Sequence, residues 1–474
     1  MCSWAPPYRL CRSASPRRKA EGAMATVVAN PSPRLLISSG RRSCHTVMSS
    51  SSYSSSSPSL RSLRYAVLGA GFSGLSVAWH LLQHSPKELH LGIDIFDEVG
   101  IGGGASGVSG GLLHPYSPKV KLLWGGAECW KECLKLLRIA ETAVSSSESG
   151  CGTEDSVHNP KSFMVRRRGI LRPATNLKNL TVLNDNAQQC LASCRIETID
   201  NHVAQNLVPN ICIPFNSAFY MPEAITIYPQ SYLQGLFSAC ENLAKEMSTS
   251  NFGKKELCLH KKSIERLNEL ADEYDAVIIC LGARADMLPE LSGRLPFRTC
   301  RGVITHLQLP DDIGESYPDH SPSILSDAWL AFQERRSVYV GSTWEWRSRN
   351  YSPNVSPQEA SNALQELLPK ASAIYPSLSS WIFTGARAGL RAMPPLTPHG
   401  SLPLLGCVDD FVGQNRSCKY WFFGGLGARG LLYHGWLGKL IAQAVISCNE
   451  EVIPQELTSW KKSSNKQESH SMLG

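Results

Sequence analysis

The chain has 474 residues, 42% of them hydrophobic and 18% charged, with a net charge of +7. That is enough apolar chain for a large core and more than one domain, and no uninterrupted apolar run reaches the roughly 18 residues of a membrane span. The positive balance belongs to the N-terminus: residues 1–64 hold ten Arg or Lys against Glu21 alone, so the rest sums to −2, without the basic excess of a nucleic-acid-binding body.

The leader also contains the run Ser49-Ser-Ser-Ser-Tyr-Ser-Ser-Ser-Ser57. A basic, Ser-rich, acid-poor opening reads as an organelle transit peptide over residues 1–60, addressed to the chloroplast or, as the alternative, the mitochondrion. The 16 cysteines form no C-x-x-C pair, and several sit in apolar runs. They read as reduced thiols, and no metal site is expected.

Tyr65-Ala-Val-Leu68 is a short apolar run that meets Gly69, Gly71 and Gly74 at G-x-G-x-x-G spacing. Leu75, Ala78, Trp79 and Leu82 then follow at helical spacing. A strand, a glycine turn and a helix in that order suit a dinucleotide pyrophosphate. Gly69 permits the turn, Gly71 lets backbone approach the phosphates, and Gly74 lets helix and strand pack closely. Phe72 and Ser73 fall at the helix N-terminus, where free N–H groups hold anions. The next strand, Leu91-Gly-Ile-Asp-Ile-Phe-Asp97, ends in a carboxylate 23 residues beyond Gly74, placed for ribose hydroxyls.

Residues 100–111 are dense in glycine and include Ala105 and Ser106, a composition for backbone passing close to a bulky group. A helical pattern covers about 124–145, and a polar loop to Pro160 reads as a boundary. Short strand-like runs such as Gly169-Ile-Leu-Arg172 follow. Tyr274-Asp-Ala-Val-Ile-Ile-Cys-Leu-Gly-Ala283 reads as a strand buried on both faces that turns at Gly282. Strand-like alternation over about 301–345 precedes a helix at about 357–368. Tyr420-Trp-Phe-Phe then runs into Gly424, Gly425, Gly427, Arg429 and Gly430 and an apolar helix to about Val445. This second strand–glycine–helix unit is expected to point its helix into the same cleft as the first.

These segments, in this order, resemble the D-amino-acid-oxidase-like (DAO) family of FAD-dependent oxidoreductases over residues 65–445. Within it, Gly104-Ala-Ser-Gly-Val-Ser-Gly-Gly-Leu-Leu-His-Pro115, Arg387-Ala-Gly-Leu-Arg-Ala392 and Gly427-Ala-Arg-Gly-Leu-Leu432 are similar to the FAD domain of the bacterial bifunctional tRNA 5-methylaminomethyl-2-thiouridine biosynthesis family. The resemblance implies an α/β fold: a Rossmann-type FAD-binding domain with an inserted mixed-sheet substrate domain, the glutathione-reductase-like architecture. It assigns 61–150, 226–300 and 380–455 to the FAD-binding domain and 151–225 and 301–379 to the substrate domain, while the polar composition of 456–474 reads as a disordered tail. It implies FAD as cofactor, held by Gly69, Gly71, Phe72, Ser73, Gly74, Asp97, Ala105, Ser106, Gly282, Gly424, Gly425, Gly427, Arg429 and Gly430.

The implied chemistry is oxidation of a C–N bond in an amino acid or N-substituted glycine, with oxygen or another electron acceptor closing the cycle. Arg391 matches the family arginine that clamps the substrate carboxylate. Arg387 is structural or cofactor-facing, and His114 lines the flavin pocket or attaches flavin covalently. The family's Thr-x-Asp is replaced here by Thr397-Pro-His399, a departure that leaves the substrate open. Organellar tRNA carrying a carboxymethylaminomethyl uridine stands as an alternative substrate, and a non-catalytic flavin-binding protein as another reading. Residues 1–60 fused ahead of a fluorescent protein are expected to carry it into chloroplasts; a mitochondrial signal would select the alternative organelle, and a diffuse cytosolic signal would remove the targeting reading.

Overall fold

The structure, a computed structural model, describes residues 62–148, 164–249, 253–314, 316–413 and 418–462. The expected leader, most of the polar boundary loop and the last residues of the expected tail lie outside them. The opening strand, Ser62–Leu68, is fully apolar after Arg64 and sits inside a six-stranded sheet. The order is Leu404–Cys407, Lys419–Gly424, Ala276–Ile279, Ser62–Leu68, His90–Phe96, Lys255–His260. All neighbours are parallel except the antiparallel edge strand Leu404–Cys407. Tyr65 and Val67 face a helical layer, while Ala66 and Leu68 join Leu267, Leu288 and Phe422 on the other side. Burial on both faces explains why these strands read as continuous apolar runs.

The first helix, Phe72–His84, is buried at every residue from Phe72 to Leu82. It is apolar all round because it packs against both Pro229–Thr249 and Gly430–Ser447. Small residues permit the approach: a Cβ at Gly438 would lie 2.1 Å from Ser76 Oγ, and that hydroxyl donates to the His434 carbonyl at 2.7 Å. Among the described residues no helix is long and apolar enough to cross a membrane.

A second, nine-stranded mixed sheet carries its own core with the helix Pro357–Ser372. Its longest ladder joins Arg298–Gln308 to Ile382–Met393, pairing Arg298 with Met393 at one end and Gln308 with Ile382 at the other, with a register shift between His306 and Leu307. The strand Ile382–Met393 is therefore a member of this sheet, whereas the sequence reading assigns 380–455 to the nucleotide-binding domain. Its apolar face, Ala386, Ala388, Leu390 and Ala392, alternates with Gly and Arg, a strand pattern that does not reveal which sheet it joins. At the chain end, Gln455–Thr458 is helical, and Leu457 and Trp460 are buried. Trp460 Nε1 donates to the Leu405 carbonyl at 2.9 Å. This corrects the disordered-tail assignment for residues 456–462, because an apolar anchor holds them to the edge strand.

Two buried histidines stay neutral between the helices. Burial, with His84 nearby, pushes His80 down to about 3, and burial pushes His434 down to about 4. His434 Nδ1 lies 2.8 Å from the Leu431 carbonyl and its Nε2 lies 2.7 Å from the Tyr232 hydroxyl, so the first donates and the second accepts. In the unfolded chain both rings take protons near pH 6.5. The unfolded state therefore binds more protons below that pH, and stability falls as pH drops from 6.5 toward 4, by roughly 1.4 kcal/mol per pH unit for each ring. Urea melts across that range should show the loss, and His434→Gln should flatten the slope by about one proton; an unchanged slope would place His434's titration elsewhere.

Candidate active site

A cavity of about 1020 Å³ is lined by residues of both sheets, large for a ligand pocket. Gly69, Gly71, Phe72 and Ser73 form one end of its wall. Gly69 has φ +105°, and a Cβ there would lie 2.6 Å from the Cys280 carbonyl oxygen. A Cβ at Gly71 would lie 2.8 Å from Ser106 Oγ, which accepts from the Phe72 N–H at 3.1 Å. In the first helix the N-cap residue, Gly71, offers no side-chain cap, Ser106 takes only the Phe72 N–H, and the first turn holds no acid. Its first N–H groups lack intrahelical acceptors, so the positive end of the helix is open to the cavity.

Asp97 also lines the cavity. Its Oδ2 accepts from the Ala70 N–H at 2.9 Å, and its Oδ1 from Val99 and Gly100 at 3.0 and 2.8 Å. The carboxylate thus braces the glycine turn and retains lone pairs for further donors. Ala105, Ser106 and Gly282 lie on the wall as well. Gly74 does not. It stands behind the wall, where a Cβ would lie 1.8 Å from the Gly69 carbonyl oxygen, which corrects its assignment as a cofactor contact to one of packing.

Gly424, Gly425, Gly427, Arg429 and Gly430 line the other side of the same cavity. The helix Gly430–Ser447 also begins without a side-chain cap or a first-turn acid. The Gly427 N–H donates to the Ala392 carbonyl at 2.9 Å, tying this turn to the strand that carries Arg391.

Arg391 sits on the wall with only neutral partners. Its Nη2 donates to the Thr343 carbonyl at 2.9 Å, Nη1 to Ser342 Oγ at 3.2 Å and Nε to the Cys300 carbonyl at 3.3 Å. The guanidinium lies 4.0 Å over the Trp344 ring. A Cβ at Gly302 would fall 2.4 Å from Nη2, so that glycine clears the space the side chain fills. Burial pulls the Arg391 pKa down, yet a guanidinium remains charged at neutral pH. Among the described residues no carboxylate pairs with it. Arg387 instead bonds the Tyr339 hydroxyl away from the cavity, and His399 is exposed on the hairpin formed by Leu396–Thr397 and Gly400–Ser401.

His114 is buried on the wall, and its Nδ1 accepts from the Tyr116 N–H at 3.3 Å. Burial pushes its pKa well below the usual value, and the charges of Arg429 and Arg172 add to the shift. Sequence reasoning missed Arg172, Trp344 and Gly302. The strand pairing alone sets Arg391, Cys300 and Trp346 side by side, with Trp344 two residues away on the same face, and nothing local signals it.

This donor set fits FAD. The N-terminus of the first helix and the glycines that leave room for backbone approach there suit the diphosphate, and Asp97 suits the ribose. The described His, Cys, Asp and Glu residues offer one grouping within metal-ligand reach, Asp94, Cys258 and His260. Asp94 there already accepts from Arg64 and Tyr274, each at 3.0 Å, and lies 2.6 Å from His260.

A family model described as FAD dependent oxidoreductase (DAO) matches residues 64–444. The chain is 25% identical over 344 residues to a Rhizobium etli protein named as a thiamine biosynthesis oxidoreductase, ThiO, covering 70% of this chain and 85% of the relative. In fold it is similar to iminodiacetate oxidase (IdaA) from Chelativorans sp. BNC1, with TM-score 0.59, 20% identity and coverage of 83% and 98% of the two chains. It is also similar to glycine oxidase from Geobacillus kaustophilus, with TM-score 0.60, 15% identity and coverage of 83% and 97%. At these identities the structural matches establish the fold. Gly71→Ala should weaken FAD retention about tenfold or more, since the methyl group meets Ser106 Oγ where backbone must approach the ligand; flavin absorbance after dialysis measures it, and full retention would remove Gly71 from the binding wall.

Proposed function

The chain belongs to the FAD-dependent oxidoreductase (DAO) family, and on that premise we propose that it oxidises the C–N bond of an amino acid or N-substituted glycine. The observation that carries this reading is Arg391, a cation on the cavity wall whose hydrogen-bond partners are all neutral. A guanidinium fork matches a carboxylate through two parallel hydrogen bonds. The structural relatives named for glycine and iminodiacetate oxidation act on substrates with such a group, which supports the reading.

Arg391 would hold the substrate carboxylate and so fix the carbon between it and the nitrogen. FAD, when bound, supplies the two-electron acceptor for the hydride leaving that carbon. Loss of the nitrogen proton leaves a C=N bond, which water hydrolyses to a carbonyl compound and the free amine. Positioning of this kind can supply roughly 7–11 kcal/mol of a barrier, and Trp344 below the guanidinium and Gly302 beside it hold the clamp in place.

Demodification of a carboxymethylaminomethyl uridine in tRNA would need the same clamp. The net charge of −2 outside the leader gives that alternative no electrostatic support, so the small-molecule reading leads. Anaerobic addition of glycine, sarcosine or proline should bleach the flavin absorbance for at least one of them; a flavin bleached by none would overturn the reading. With the active substrate, Arg391→Met should keep FAD and weaken substrate binding about 10- to 100-fold, the loss expected for charged hydrogen bonds; unchanged binding would remove Arg391 from the clamp.

A further inference from the structure

Arg172 lies in the strand Ile170–Pro173 of the second sheet, is nine-tenths buried and lines the cavity. Its Nη1 reaches the Leu325 carbonyl at 3.4 Å, a marginal distance, and its Nε has no hydrogen-bond partner. Arg429 lies on the same wall as the N-cap residue of the helix Gly430–Ser447, an 18-residue helix whose end has no side-chain cap. Among the described residues its guanidinium has no hydrogen-bond or ion-pair partner. The two cations sense one another, since the charge of Arg172 adds to the burial that lowers the Arg429 pKa. The acid whose field acts on Arg172 is Asp327, which is exposed and forms no ion pair with it. His114, on the same wall, is neutral and adds no counter-charge.

Two like charges drawn out of water toward one another, with a helix N-terminus adding positive potential, are unfavourable without an anion. Arg391 is oriented by a separate set of atoms, the Thr343 and Cys300 carbonyls and Ser342 Oγ.

We propose that Arg172 and Arg429, with the helix end behind them, form a second anion-recognising point in the cavity, and that the substrate carries a second acidic group held there. The substrate class is then a dianion, an N-substituted glycine whose other arm ends in a carboxylate or similar anion. Arg172 belongs to the same sheet as Arg391, and the Gly69–Gly74 turn follows a strand of the other sheet, which favours substrate over the cofactor diphosphate as its ligand. This assignment rests on the C–N oxidation reading for its substrate, and its test does not require turnover.

Thiodiacetate and (methylthio)acetate share a thioether in place of the amine and differ in the second carboxylate. Titrated into the FAD-loaded protein at constant ionic strength, with flavin spectral change or calorimetry as the readout, the dianion should bind at least about tenfold tighter. Arg172→Met should reduce that ratio to near one, and Arg172→Lys, which keeps the charge, should retain part of it. Equal binding of the two ligands by the unmodified protein would overturn the proposal. So would an Arg172→Met variant that weakens FAD itself and leaves the ratio intact, which would make Arg172 a cofactor residue. A dianion preference in a protein whose flavin no amine reduces would leave the anion site standing and remove the oxidation reading; flavin reduction by sarcosine without any dianion preference would do the reverse.

Discussion

A carbon atom added at Gly74 would sit 1.8 Å from the Gly69 carbonyl oxygen, a contact with backbone that no side-chain movement can relieve. The first helix therefore rests on the turn below it at a distance only a hydrogen atom allows. That spacing aims the helix N-terminus into the cavity and puts Gly71 against Ser106. It also brings the helix close enough for Ser76 to reach the His434 carbonyl on the C-terminal helix. Both uncapped helix ends then open on one cavity, and the anion site follows from the packing.

The second sheet supplies what the first cannot. Its ladder between Arg298–Gln308 and Ile382–Met393 sets Arg391 beside Cys300 and opposite the void left by Gly302. A charged side chain held by carbonyls and a hydroxyl costs more to bury than one held by a carboxylate. The fold tolerates this on the cavity wall because the guanidinium is stacked on Trp344 and fully oriented. An arginine that is positioned but not neutralised keeps its charge available for a ligand, which a structural salt bridge would not. Arg301, one residue along, shows the contrast. It is buried with its Nε 2.7 Å from Glu359 and pins the segment at Asn350, Ser352 and Asn354, so its charge is spent on the fold.

Much of the nucleotide half was legible in the sequence because its requirements are local. A glycine at positive φ, an apolar strand buried on both faces and a helix start without a capping side chain each leave a mark within ten residues. Asp97 was legible for the same reason, although its three backbone donors make it a brace for the turn as well as a wall residue. The second sheet was less legible. In Ile382–Met393 the apolar face is mostly alanine, Ala386, Ala388, Leu390 and Ala392, alternating with Gly and Arg, so its partner strand is what defines its sheet. Arg172 and Arg429 lie far apart in sequence, and nothing near either predicts that both line one cavity.

Sequence alone determined that a dinucleotide-type turn opens the body, that a similar turn recurs near the C-terminus, and that Arg391 lies in the short segment Arg387-Ala-Gly-Leu-Arg-Ala392, since each is a short-range pattern. The tertiary structure decided which sheet owns Arg391 and which glycines pack and which face the cavity. It also decided which arginines lack a counter-charge. Those properties depend on distances between residues remote in sequence, and only the packing of the two sheets fixes them.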